Sequence, residues 1–262
     1  MNSIIELKLG RSYKTTPLFS YRIFSEDISG IDLNTPVEKM LISTINPHSF
    51  YVAEHDLLFK EALQNSKILL PDGVGIVLAN RLLNFSKISK ISGTDIFEYL
   101  LKKLNESTEA SRRRIYFLGS SVENLDIIKS KIKEDFPALA VGCYSPPFKS
   151  EFSNEERKSM VDAINNFVPY ILFVGMTAPK QEKWAYQNFY SVDASVVCSI
   201  GAVFDFYSGK IKRPGFVWQW LGLEWLGRFI REPFRLWRRT LISMPYFVWK
   251  VFIEFVKKSL RV

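Results

Sequence analysis

Tyr170-Ile-Leu-Phe-Val-Gly-Met-Thr-Ala-Pro-Lys-Gln-Glu182 opens as an unbroken apolar run, turns at Gly175 and continues into a polar stretch. An apolar run without alternation, closed by a glycine, reads as a strand buried on both faces. Thr177 reads as the start of the following helix, with Pro179 in its first turn. Three further stretches share this grammar: Lys67-Ile-Leu-Leu-Pro-Asp-Gly-Val-Gly75, Arg114-Ile-Tyr-Phe-Leu-Gly-Ser-Ser121 and Ser195-Val-Val-Cys-Ser-Ile-Gly201. Longer amphipathic segments, Val122–Asp135 and Asn154–Phe167, lie between them. Short apolar runs alternating with helical ones are the mark of βα repeats, so the expected class is α/β, a parallel sheet flanked by helices. The N-terminal region shows little clear periodicity.

Ligands of open parallel sheets bind beyond the carboxyl ends of the strands, which makes the glycine turns the site candidates. None is a phosphate fingerprint. Gly73 and Gly75 begin a GxG but Leu78 stands where the third glycine belongs, and no GxxxxGK[ST] occurs. A dinucleotide dehydrogenase and a P-loop ATPase are thereby disfavoured. Helix N-termini can hold a phosphate through free N–H groups, and Gly119-Ser120-Ser121 and Thr177 both read as helix starts, though plain capping explains them as well. Asp72, in Pro71-Asp72-Gly73, sits at the mouth of the sheet, where Pro-Asp-Gly is also a common turn sequence. Thr44 and Asn46, in Ser43-Thr-Ile-Asn-Pro47, read as a strand end with Asn46 extended before proline.

The 262 residues are 47% apolar and 24% charged, enough apolar content to bury a core, which excludes a disordered chain. Two cysteines, Cys143 and Cys198, and two histidines, His48 and His55, lack the spacing of a zinc site or a disulfide scaffold. Both histidines read as structural or surface residues. Residues 1–14 interleave Glu6, Lys8, Arg11 and Lys14 with apolar residues and form no signal-peptide core, so a cytoplasmic placement is expected.

Charge is distributed unevenly. Residues 210–262 hold 12 of the 35 Lys/Arg and 3 of the 27 Asp/Glu, net +9, leaving residues 1–209 with 23 basic and 24 acidic, net −1. The same segment carries five of the six tryptophans. Nucleic-acid surfaces rarely interleave so much apolar bulk with charge, so a nucleic-acid partner is not expected and an anionic membrane surface is. No stretch reaches the ~18–20 uncharged apolar residues of a spanning helix. Beyond Pro245, Lys250, Glu254, Lys257 and Lys258 share one side and aromatic and aliphatic residues occupy the rest, the pattern of an interfacial helix or of one buried in a dimer. The expected organisation is a core over residues 1–209 and a helical, basic and aromatic membrane-binding appendage over residues 210–262.

Several motifs, in this order, resemble the WecG/TagA/CpsF family of bacterial glycosyltransferases: Thr44-Ile-Asn46, Leu70-Pro-Asp-Gly73, Ser92-Gly-Thr-Asp-Ile-Phe97, Gly175-Met-Thr-Ala-Pro-Lys-Gln-Glu182, Gly201-Ala-Val-Phe-Asp205 and Glu232-Pro-Phe-Arg235. The resemblance runs from about residue 41 to 239. It implies a Rossmann-like core of the GT-E type and an inverting transfer of N-acetylmannosamine, its uronic acid or glucose from a UDP-sugar to a polyprenyl-diphosphate-linked saccharide. It implies a peripheral enzyme on the cytoplasmic face of the bacterial inner membrane, with a homo-oligomer possible. The motif aspartate becomes the catalytic base at Asp72. Substrate contacts fall to Thr44, Asn46, Lys90 and Gln181, and to tail arginines Arg228, Arg235 and Arg238, which close over the site. Lys90 stands where many members carry arginine, so the cation survives without the bidentate fork. With no pair of carboxylates in a DxD pattern, neither metal nor other cofactor is expected. A catalytically silent lipid- or nucleotide-binding protein of the same fold is the alternative that intact Asp72, Asn46 and Gln181 argue against.

Overall fold

The computed structural model describes residues 12–33, 39–211, 226, 229–230 and 233–260, with the side chains of 235 and 236 excepted. A hairpin of β1 (Thr15–Leu18) and β2 (Tyr21–Phe24) precedes a six-stranded sheet. The sheet contains β3 (Met40–Ile45), β4 (Ile68–Pro71), β5 (Arg114–Gly119), β6 (Ala140–Tyr144), β7 (Ile171–Gly175) and β8 (Val196–Ser199). Their spatial order is β4-β3-β8-β7-β5-β6 and every pairing is parallel. Around it lie α1 (Pro47–Ala53), α2 (Leu57–Gln64), α3 (Val74–Asn84), α4 (Gly93–Asn105), α5 (Val122–Asp135), α6 (Asn154–Phe167), α7 (Lys180–Gln187) and α8 (Val203–Ser208). Beyond these come α9 (Pro233–Arg238), a π-helical turn (Arg239–Ser243) and α10 (Met244–Ser259).

The four apolar runs form β4, β5, β7 and β8, and they lack alternation because the sheet is covered twice. Along β7, Ile171 and Phe173 join a core with Leu125 and Ile128 of α5, while Leu172 and Val174 join another with Met160 of α6 and Trp184 of α7. Serines set the helix starts: Ser121 caps α5, and Ser92 and Ser153 form capping boxes with Asp95 and Glu156. At α7 the start lies later than expected, with Pro179 at the cap position and the Lys180 N–H bonded to the Thr177 carbonyl at 3.0 Å.

After β5 the chain moves outward to β6, and after β7 it moves the other way to β8, so α5 and α7 lie on opposite faces. The crevice between the β5 and β7 ends is therefore a topological switch point. Gly119 makes this crevice narrow: its φ is +123°, and a Cβ there would lie 2.2 Å from the Gly175 carbonyl oxygen.

The C-terminal helix is seated on the core. Phe247, 2% exposed, and Val251 join Phe50 of α1, Ile76 of α3 and Tyr21 of the hairpin in a third apolar cluster. Lys250 lies 3.4 Å from Glu54, and Lys258 donates to the Leu83 carbonyl and Asn84 Oδ1 at 3.1 Å each. The opposite face of α10 stays apolar and open, with Trp249 58% and Phe252 55% exposed and their rings stacked 6.0 Å apart. Among the described residues no helix is long and apolar enough to cross a membrane.

Candidate active site at the carboxyl corner of the sheet

Strands β3 and β4 end side by side, with Ile45 opposite Pro71. The ladder continues one step further, the Asp72 N–H donating to the Ile45 carbonyl at 2.9 Å. Asp72 and Asn46 are thus neighbours across two strand ends, with half-buried Thr44 two residues behind Asn46 in β3. Asn46 is extended, as read from Pro47, and caps α1: its Oδ1 accepts the N–H groups of His48 and Ser49, both at 3.0 Å. With that oxygen committed to the cap, contact with a ligand falls to its Nδ2 group.

Helix α3 begins directly after Asp72, and Gly73 at its cap position offers no side-chain oxygen to the first N–H groups. Its start lies against that of α1, since a Cβ on Gly75 would come within 2.7 Å of the Pro47 ring. The α1 start is already satisfied by Asn46, so of the two helix starts beside Asp72 it is that of α3, whose N-cap residue is a glycine, that suits an anionic group. The chain returns to this corner when the Ile91 N–H bonds to the Pro71 carbonyl at 3.0 Å, which brings half-buried Lys90 to the end of β4.

Gln181 is placed differently from a surface ligand. It is 1% exposed, and its Oε1 accepts from the backbone N–H of Met176 and of Gly201, each at 3.1 Å. Its Nε2 donates to Glu182 Oε1 at 2.8 Å. One side chain thus ties the loop after β7 to the loop after β8. Glu182 is fully buried, its Oε2 lacks a partner, and burial pushes its carboxyl up to about 7. The sequence singled out Gln181 as a substrate contact and not Glu182, and it showed the burial of neither, because a Gln-Glu helix opening looks the same whether it faces water or the core.

A further polar group lies across the sheet at the switch point. Asn124 Nδ2 of α5 donates to Ser120 Oγ at 2.7 Å and to Asp205 Oδ1 of α8 at 3.3 Å. Of the tail arginines, Arg228 and the Arg235 side chain lie outside the described residues. Arg238 is exposed, its guanidinium 5.3 Å from the Trp237 ring centroid. Its carbonyl accepts from Ser243 Oγ at 3.3 Å, and Ser243 in turn lies 2.8 Å from His48 Nδ1, which joins the end of α9 to α1. The structure thus gathers Thr44, Asn46, Asp72 and Lys90 at one corner and sets Gln181 behind the β7 and β8 loops. Among the described residues no three His, Cys, Asp or Glu side chains group as metal ligands.

The profile of the family described as "Glycosyl transferase WecG/TagA/CpsF family" matches residues 25–261. A Bacillus subtilis (strain 168) protein named N-acetylglucosaminyldiphosphoundecaprenol N-acetyl-beta-D-mannosaminyltransferase is 31% identical over 214 residues, 82% of this chain and 79% of the relative. A Staphylococcus aureus (strain MW2) protein of the same name is 24% identical over 226 residues, 86% of this chain and 85% of the relative. Because the match runs from the end of the hairpin through α10, it takes in the sheet, the corner at Asp72 and the seated tail together, and this chain belongs to the WecG/TagA/CpsF family of glycosyl transferases.

Proposed function

We propose that this glycosyl transferase moves a sugar, N-acetylmannosamine in the reading its relatives favour, from UDP to N-acetylglucosaminyl-diphosphoundecaprenol. The observation that supports the chemistry is the Asp72 N–H bond to the Ile45 carbonyl, which sets residue 72 beside Asn46 and immediately before the start of α3. The acceptor hydroxyl attacks the anomeric carbon, the new C–O bond forms as the bond to UDP breaks on the opposite face, and the proton passes to Asp72. A carboxylate with an ordinary pKa of about 3.9 is a weak base for an alcohol, so the transfer occurs in the transition state, where such assistance is worth ~10²–10⁴-fold.

The donor lies across the strand ends. Its nucleoside sits in the β5/β7 crevice and its sugar at Asp72, with β8 and β3 between, about 14 Å from β7 to β4 at ordinary strand spacing. The departing diphosphate is met by helix N–H groups, Lys90 and the tail arginines, with no metal ion. The open apolar face of α10 and the basic tail hold the enzyme on an anionic bilayer, at the cytoplasmic face of the inner membrane, where the acceptor resides.

The test is UDP release across a panel of UDP-sugars, with N-acetylglucosaminyl-diphospholipid as acceptor and EDTA present throughout. Acceptor-dependent release with UDP-N-acetylmannosamine is expected. Release only with another donor overturns the sugar assignment. Release only after Mg²⁺ or Mn²⁺ is restored overturns the metal-free reading.

A further inference from the structure

The start of α1 is braced from outside by the C-terminal segment. Asn46 is oriented by the N–H groups of His48 and Ser49, so the aim of its side chain depends on the first turn of α1 staying in place. That turn carries the His48 ring, whose Nδ1 lies 2.8 Å from Ser243 Oγ. Ser243 is fully buried and ends the π-helical turn that leads into α10, an irregularity that recurs at functional positions. Burial and the nearby Arg239 charge hold His48 down to about 4, which keeps the ring neutral, with one donor and one acceptor nitrogen.

The following residues extend the same brace. The Tyr246 ring meets Tyr51 edge-on at 5.2 Å between centroids, and the Phe247 ring meets Phe50 edge-on at 5.3 Å. A Cβ on Gly75, in the first turn of α3, would lie 3.9 Å from the Phe247 ring. The helix starts that flank Asp72 therefore rest on one short stretch, residues 243–247, some 170 to 200 positions later in the chain.

We propose that His48 and Ser243 form a latch through which the seated tail positions Asn46 and the α1 and α3 starts for transfer, so that both act as positioning residues. The proposal rests on Asp72 and Asn46 being the transfer site. It gives the tail a task separate from membrane attachment: α10 completes the geometry of the corner even when the acceptor is delivered in water. A misplacement of 1 Å at a reacting centre can cost 10²-fold in rate. Loss of the latch should act on kcat, with donor KM little changed.

The experiment uses the full chain and a short-chain, water-soluble diphospholipid acceptor, comparing Ser243→Ala, His48→Ala, their double variant and Ser243→Thr, which keeps the hydroxyl. We expect kcat to fall at least about tenfold in each alanine single. The double variant should lose no more than the worse single, and Ser243→Thr should recover most of the rate. Amide hydrogen exchange over residues 47–53 should accelerate in Ser243→Ala, a reading that needs no turnover. Unchanged kcat in Ser243→Ala, independent losses that multiply in the double variant, or unchanged exchange would each overturn the latch. Loss of activity confined to His48→Ala would overturn it too, by assigning His48 a direct role. A wild-type protein that releases no UDP, with faster exchange in Ser243→Ala, would refute the transfer reading and leave the brace standing.

Discussion

Truncating Gln181 to alanine separates two roles for this residue. As a substrate ligand, its loss would raise donor KM and leave the fold alone. In the structure its Oε1 is the acceptor for the Met176 and Gly201 amides and its Nε2 is the donor to Glu182, so truncation strands groups on three segments at once. The Met176 amide is buried, and leaving it unpaired costs about 1–3 kcal/mol. Gly201 is half-buried and can recruit water, so its loss lies at the lower end of that range. Together they give about 2–4 kcal/mol, before any cavity, or a fall in Tm on the order of 10 °C at ~2–4 °C per kcal/mol. Urea unfolding and calorimetry on Gln181→Ala and Gln181→Glu measure this, since glutamate keeps the acceptor and should retain much of the stability near pH 5. An unchanged unfolding midpoint in Gln181→Ala, with KM raised, would refute the strut.

Asp72→Asn should leave the unfolding midpoint near that of the wild type and cut turnover by about 10²–10⁴, read by UDP release; full activity would remove Asp72 as the base. Glu182 predicts a pH dependence of stability. Its carboxyl ionises near 4.5 when unfolded and near 7 when folded, so its contribution is complete below about pH 4.5 and is lost as pH rises through 7. That loss is about 3 kcal/mol, and urea titrations at pH 5 and pH 8 should show it in wild type and not in Glu182→Gln. Trp249→Ser with Phe252→Ser should weaken sedimentation with anionic liposomes while barely moving Tm, because both rings are more than half exposed; unaltered liposome binding would take the open face of α10 out of membrane attachment.

The sequence made the middle of the sheet legible because strands covered on both faces must be continuously apolar, as Ile171 to Val174 are. It showed β3 only by its end at Thr44 and Asn46, because Ser43 and Thr44 interrupt the apolar run, and it hid the edge strand β6, where Gly142 and partial exposure leave no pattern. The hairpin turns at Phe19 and Ser20 without an Asn-Gly or Asp-Gly signal, Phe19 taking φ 54° itself. Asp72, Asn46 and Thr44 could be read as strand-end residues, where ligands of this class of sheet bind, but a Pro-Asp-Gly turn reads the same way, and only the family motifs singled them out as site residues. Gln181 was visible as a motif and opaque as a structure, since a polar residue on the buried face of α7 runs against the periodicity by which helices are read. The docking of α10 was half visible: periodicity showed a helix apolar on most of its surface, and only the fold shows that Phe247 and Val251 face protein while Trp249 and Phe252 do not.

The third apolar cluster also sets a clock. Its walls come from the hairpin, α1, α2 and α3, and its lid comes from α10, with Glu54 and Lys250 meeting across 196 residues of chain. At ~5–20 residues per second, a ribosome needs about 10–40 s to make the intervening stretch, and for that time Phe50 and Ile76 have no cover from Phe247. The nascent chain therefore carries an uncovered apolar surface beside the Asp72 corner until α10 emerges. The sheet can close only once β8, its central link between β3 and β7, has been made, and the corner at Asp72 is covered later still, after synthesis has passed residue 251.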